Sequence, residues 1–396
     1  MIAAACSRAF NRALLHDPEF ARLRGAARST LASLLTAGLG VPWALQHHQT
    51  ATLAVPAALF AMIAPLFLRE AGLSGWLVSL LMLEFCACAA FAAAATVASQ
   101  PMLRDAGSLL VVFFGMLCQT LGARAVGAAL LTLVAFYLGL YLHPVDARLV
   151  EMLGGMALAS LVVTFVGRVV FPVERAGERP LPSSPTSSFV RGLPASVAAV
   201  QARIEAALRL AADVIVTGRP SQRPLGELLA HRLHRLAWRP ALVATVAALL
   251  AMLAGSELSE DRAMWAVIST FVVFLGTTSH QGTRARVMKR IAGTLTGAAA
   301  SVLLIGACGH APWLLVAAMA LSVFGWAYYI LHAYARGVFF ITMLVGLVYG
   351  QLGFAIVPLA RLRIEEVLAG CFISLVVAML LMPSANAHAA VARERA

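Results

Sequence analysis

Residues Gly282–Gly297 read GTRARVMKRIAGTLTG. Four cations (Arg284, Arg286, Lys289 and Arg290) stand directly before an apolar run that stays uncharged until Arg336. One bilayer crossing takes about 20 apolar residues, so this run needs two. Cations at the foot of such a run mark the cytosolic mouth of a membrane helix. Gly293 and Gly297 are one turn apart, so they share a helix face and let a neighbouring helix approach closely.

The rest of the chain agrees with that reading. Of 396 residues, 61% are hydrophobic and 12% charged, and mean hydropathy is +0.86. A soluble domain is about 45–50% apolar and about 25% charged. The expected class is an all-α polytopic membrane protein. A transmembrane barrel would show alternating segments of about ten residues, and the apolar runs here are unbroken. The net charge of +12 flanks those runs, which makes it a set of topology marks and not a nucleic-acid surface. The six cysteines (Cys6, Cys86, Cys88, Cys118, Cys308 and Cys371) mostly sit inside apolar runs, as small packing residues do. Cys86 and Cys88 point to nearly opposite helix faces, a poor metal clamp. No metal site and no cofactor is expected.

The chain divides into five stretches. Residues 1–27 are expected to be a cytosolic lead-in, because charges at Arg8, Arg12, Asp17 and Glu19 break any signal-peptide core. Residues 28–172 hold six expected crossings, and so do residues 237–384. Between them, 173–236 is rich in Pro, Ser and Arg and reads as a cytosolic linker with amphipathic helices. Residues 385–396 are the expected cytosolic tail. With both termini inside, all of the 30 cations except Arg104, Arg148, Arg262, Arg361 and Arg363 fall on the cytosolic side.

A constant shift of 215 residues brings the halves into register. Arg24 falls on Arg239, Gly40 on Gly255, Arg69 on Arg284 and Gly122 on Gly337. The motif R-x-x-E-x-x-x-G occurs at Arg148–Gly155 and again at Arg363–Gly370. Six crossings per half is an even number, which predicts two parallel six-helix repeats, about 12 transmembrane helices in all.

Three segments then carry a family resemblance. They are Trp265-Ala266-Val267, the R-x-x-G-T-x-x-G stretch from Arg290 to Gly297, and Arg363–Gly370 with Pro383 closing the last helix. In order and spacing they resemble the fusaric acid resistance and aromatic acid exporter family of bacterial inner-membrane proteins. The second half carries the likeness directly and the first half through the repeat. The resemblance implies efflux of small, weakly acidic aromatic compounds, driven by the proton gradient. It also implies a periplasmic adaptor and an outer-membrane channel as partners. A homo-oligomer is among the expected assemblies. A looser likeness to plant malate channels keeps an organic-anion channel or facilitator open as the alternative.

Candidate site residues follow from charges inside apolar runs. Glu84 sits mid-crossing, where an acid costs roughly 2.5–3.5 kcal/mol to insert, so it is a candidate for proton coupling or a paired structural acid. Glu151 and Glu366 are either proton carriers or partners that lock Arg148 and Arg363 one turn away. Those arginines are also candidates to capture a substrate carboxylate. Arg284 and Arg290 are expected to attract anions from the cytosol, with Arg290 dipping into its helix and Glu84 facing that mouth. Gly155, Gly293, Gly297 and Gly370 are expected packing positions. His280, His310 and His332 are weighed as pH-sensitive groups by residue type, but lone histidines at helix ends are more often structural. The tryptophans are read as interfacial anchors, and Phe271, Phe274, Tyr328 and Phe339 as core before substrate lining. Gly72-Leu73-Ser74-Gly75 has the pattern of an intramembrane serine protease. That chemistry needs a histidine within hydrogen-bond distance of Ser74, and His47, His48, His143 and His310 are expected on the other side of the membrane, so no catalytic residue is assigned and the chain is not read as an enzyme.

Overall fold

The computed structural model describes residues 20–70, 72–144, 146–172, 238–258, 264–277, 279–309 and 311–382. The 173–236 linker, the 385–396 tail, most of the 1–27 lead-in, Arg262, His310 and Pro383 lie outside the described residues.

All twelve expected segments are helical. In the first half they are α1 (Ala21–Gln46), α2 (Val55–Ile63), α3 (Leu73–Val97), α4 (Pro101–Leu117), α5 (Ala123–Leu142) and α6 (Asp146–Phe165). In the second they are α7 (Trp238–Leu258), α8 (Met264–Phe274), α9 (His280–Cys308), α10 (Pro312–Tyr329), α11 (Tyr334–Gln351) and α12 (Ile356–Leu381). No strand occurs among the described residues. Eight of the helices are long and apolar enough to cross a membrane. Phe85, Leu303, Phe372 and Leu380 stand exposed on their outer faces, as lipid-facing side chains do.

The four remaining helices depart from the simple count. α1 and α11 are long enough but carry Arg22, Arg24 and Arg28, and Arg336, within their turns. α2 and α8 are short, at 9 and 11 residues. At 1.5 Å per residue α8 spans roughly 16 Å, about half the hydrocarbon thickness. The crossing expected over 263–276 is therefore a short one, while α2 is extended by 3-10 turns on both sides into one apolar helix over Ala51–Leu66. Local chemistry gives the reason. Pro56 and Pro65 confine α2, because proline cannot donate to a continuing helix. Gly276, at φ +78°, turns the chain out of α8.

Caps set the other boundaries. The Ser279 hydroxyl accepts from the Gly282 amide at 3.3 Å and opens α9. Pro101 and Pro312 occupy the first turns of α4 and α10. Gly122, at φ +107°, makes the corner between α4 and α5.

The same helix pairs pack in both halves. α1 lies on α2 as α7 lies on α8, and α2 on α6 as α8 on α12. α3 packs on α5 as α9 packs on α11, and α5 holds α4 as α11 holds α10. Between halves the pattern crosses over, with α4 against α7 and α10 against α1. Gly276 N–H also donates to the Gln119 side-chain oxygen at 3.1 Å, tying the end of α8 to the turn after α4.

Glycines set the closest approaches. A Cβ at Gly293 would overlap the Ala335 carbonyl and Val338, and one at Gly297 would overlap Phe339 and Thr342. The Gly293/Gly297 face is thus where α11 docks on α9. In the first half the equivalent contact uses a glycine of the other helix, Gly139 on α5, against Phe91 and Ala94 of α3. Gly370 abuts the Ala266 carbonyl of α8, while Gly155 leaves room, with a Cβ there 3.6 Å from Ala57.

Candidate functional site

Among the described residues the buried charged side chains are Arg290 (8% exposed), Arg363 (9%) and Glu366 (0%). All three belong to the second half, and they meet where α8, α9, α11 and α12 converge. Two buried guanidinia stand with one buried carboxylate, so by formal charge the cluster holds an excess of positive charge within apolar helices. Burying an uncompensated charge costs several kcal/mol, and side chains that do so are usually functional.

Each guanidinium has identifiable support. Arg290 on α9 donates from Nη2 to the Ser269 hydroxyl at 3.1 Å and from Nη1 to the Tyr334 hydroxyl at 3.3 Å. Arg363 on α12 lies over the Trp265 ring, its Cζ 3.9 Å from the centroid. Arg286, half-buried one turn before Arg290, lies 4.4 Å over the Tyr334 ring. Cation–π contacts of this kind contribute about 2 kcal/mol or more when desolvated. Trp265 and Ser269 are four apart on α8, and Arg286 and Arg290 four apart on α9, so each pair shares a face. The result is a ladder from the basic start of α9 inward: Arg286, Tyr334, Arg290, Ser269, Trp265, Arg363.

Arg363 is not saturated. Its Nε and Nη1 are buried and donate to no protein acceptor. Buried donors without acceptors are uncommon, and each costs about 1–3 kcal/mol. Glu366, one turn along α12, and Tyr349 on α11 both act electrostatically on this guanidinium, as does Arg290. Below the cluster, the Thr270 hydroxyl donates to the carbonyls of Ala266 (3.0 Å) and Gly370 (3.4 Å), binding α8 to α12 where the two backbones meet. That contact fixes Trp265 against Arg363.

The other candidates fall elsewhere. Arg284 and Lys289 are exposed on α9 and take no part in the ladder. Arg148 is exposed, and Glu151 is half-buried with one carboxylate oxygen lacking a hydrogen bond. No ion pair joins them, so the first copy of the motif is not a lock. The reason is placement: Arg148 stands at the solvent-facing start of α6, while Arg363 lies further inside α12. Glu84 sits at the border of the buried and exposed faces of α3. α3 packs on α4, α5 and α6 of its own half, so Glu84 does not face the mouth of α9. Trp76 and Trp326 are buried in helix interfaces and are not interfacial anchors. Phe271 and Phe274 are fully buried core. Instead, the first half gathers polar groups at one end: Arg124 pairs with Glu70, and Arg168 lies 4.8 Å over the Trp76 ring.

Ser269, Tyr334, Tyr349 and the role of Arg286 were not foreseen from the sequence. The i,i+4 spacing of Arg286 with Arg290, and of Trp265 with Ser269, was the available signal.

Parts of the chain are similar to known proteins. A segment of 161 residues is 29% identical to "Uncharacterized transporter YdhK" of Escherichia coli (strain K12), covering 38% of this chain and 24% of that protein. The corresponding protein of Escherichia coli O157:H7 matches equally. The chain thus aligns with about a quarter of the length of these curated relatives. No solved structure matches it. The chain is a multi-pass membrane protein with transporter relatives, and residues 241–377, which contain every member of the buried ladder, match the fusaric acid resistance protein-like family.

Proposed function

We propose that the protein exports small aromatic or amphipathic weak acids as anions across the bacterial inner membrane, through the charged cluster of its second half. One observation carries this reading: Arg363 is buried, stacked on an aromatic ring, and holds two donors that no protein group satisfies. A carboxylate is the acceptor such a guanidinium suits, by charge-assisted hydrogen bonds. The Trp265 face beside it suits an aromatic or apolar body. Arg290 would hold the anion on its way from the cytosolic start of α9, with both termini in the cytosol and the halves related as parallel repeats. Family likeness supports transport in general; the anion chemistry is read from the cluster.

Proton coupling is proposed with Glu84 and Glu151 as the carboxylates to test, since neither has an arginine partner. The alternative is a channel or facilitator, favoured by one feature, the excess of buried positive charge, which suits a bare anion moving with the membrane potential. A periplasmic adaptor and an outer-membrane channel would extend the route, and a homo-oligomer would be compatible with it.

The test is efflux of benzoate from proteoliposomes carrying the purified chain. Arg363→Gln should lower the flux at least about tenfold, since it removes a charge-assisted contact. Undiminished flux in that variant would remove Arg363 from the pathway. Imposing a pH gradient and a potassium-diffusion potential separately then distinguishes the coupled exporter from the facilitator.

A further inference from the structure

The buried charged groups among the described residues are Arg290, Arg363 and Glu366. By formal charge they amount to two positive units and one negative unit. Arg286 is only half-buried and is held at the outer end of the ladder by Tyr334. Glu366 is completely buried and close enough to act on Arg363. Its immediate surroundings are fixed: Gly370, one turn further, is pressed against Ala266, and Trp265 closes the other side of Arg363.

Resting on the anion-transport reading above, we propose that Glu366 sets the charge class of the substrate. With its carboxylate in place the cluster carries one net positive unit, which one carboxylate of a substrate neutralises. A second carboxylate on the same substrate would then enter a buried site with no cation left to meet it. That group would lose its hydration without compensation and would face Glu366 at close range. The site therefore selects monocarboxylates over dicarboxylates, and Glu366 is the specificity-determining residue. It need not touch the substrate to do so. It fixes how much positive charge remains available.

The proposal gives a fixed counter-charge a task distinct from that of a proton carrier. It also explains why the second copy of the R-x-x-E motif is buried with two arginines nearby, while the first copy stands at a surface with its arginine exposed.

The experiment compares three aromatic anions in proteoliposomes of neutral lipid, at one clamped potential and at a pH where all carboxylates are ionised. Benzoate carries one charge, phthalate two, and monomethyl phthalate has one charge at nearly the size of phthalate. The wild-type chain should carry benzoate and monomethyl phthalate and should carry phthalate at least about tenfold more slowly, the scale of one unmatched charge at close range in a partly screened site. Glu366→Gln, nearly isosteric, should raise phthalate relative to benzoate by at least about tenfold. Glu366→Asp should keep the wild-type preference.

Rejection of monomethyl phthalate along with phthalate would show that size decides, and would overturn the proposal. So would an unchanged ratio in a Glu366→Gln protein that still transports. If that variant fails to fold, the wild-type ratios alone still decide: a preference for phthalate overturns the assignment. Absence of flux for all three anions in the wild type would instead sink the anion-transport reading, and the inference with it.

Discussion

A methyl group placed at Gly370 tests whether α8 and α12 are as close as the site requires. The Cβ of Gly370→Ala would overlap the Ala266 carbonyl and lie against the Ala266 backbone. Backbone cannot rotate away as a flexible side chain can, so the helices must separate. Overpacking of this kind costs about 1–3 kcal/mol. The gain in helix propensity on replacing glycine returns up to about 1 kcal/mol. With the full return the net expectation is a destabilisation of up to about 2 kcal/mol. Gly155 offers the matched control, being the same motif position in α6. There the new methyl would meet only the Ala57 methyl at 3.6 Å, an ordinary contact. Gly155→Ala should be neutral or stabilising by about 0.5–1 kcal/mol, because it lowers the entropy of the unfolded chain. Thermal unfolding of both variants in mild detergent gives the comparison. Gly370→Ala should also impair transport, since separating α8 from α12 moves Trp265 off Arg363. Equal midpoints for the two variants would refute the claim that the helices touch at Gly370.

Three further outcomes follow from single contacts. Arg28 donates to the carbonyls of Phe171 at 2.7 Å and Pro172 at 2.8 Å, closing the end of α6 on α1; Arg28→Ala should lower stability by about 1–3 kcal/mol in the same unfolding assay, with flux kept in the folded fraction. Arg124, half-exposed, pairs with Glu70, so Arg124→Gln should cost no more than about 1 kcal/mol and lose even that at high salt. Glu84→Gln should leave potential-driven anion flux intact, and any change should be confined to flux driven by a pH gradient; loss of both would place Glu84 in the anion route itself.

Hydropathy made the fold legible because a bilayer demands long uncharged runs, and every one of them became a helix. It could not distinguish a full crossing from a short one. Run length measures apolar residues, whereas Pro56, Pro65 and Gly276 decide where the helix stops. The charged members of the site were visible for the same reason that the fold was: Arg363, Glu366 and Arg290 interrupt apolar sequence. Their neutral partners gave no such signal. Ser269 and Tyr334 are ordinary residues for a membrane helix, and only the meeting of three helices makes them acceptors for Arg290. Arg284 and Arg286 show the finer limit. They are two residues apart, hence about 200° apart around α9, so one faces outward and the other faces Tyr334.

The two halves share their packing but not their chemistry. Between α2, α3, α5 and α6 the first half has a small apolar cavity, lined by Leu59, Phe60, Ala87, Val134 and Met156 among others. At the constant shift of 215, Val134 corresponds to Tyr349 and Met156 to Cys371, both beside the charged cluster. The first half is therefore unsuited to holding an anion at its equivalent place. What it supplies is a pair of surfaces, α4 for α7 and α1 for α10. Under the repeat, α4 corresponds to α10 and α1 to α7. A second copy of the second half could then supply the same surfaces, with α10 of each copy against α7 of the other. Residues 238–382 expressed alone should accordingly be recovered from detergent as a dimer by light scattering, with its Gly370→Ala variant less stable as in the full chain. A stable monomer of that fragment would show that the α7 and α10 faces need no partner, and that the crossing-over of the halves is not what holds the charged cluster together.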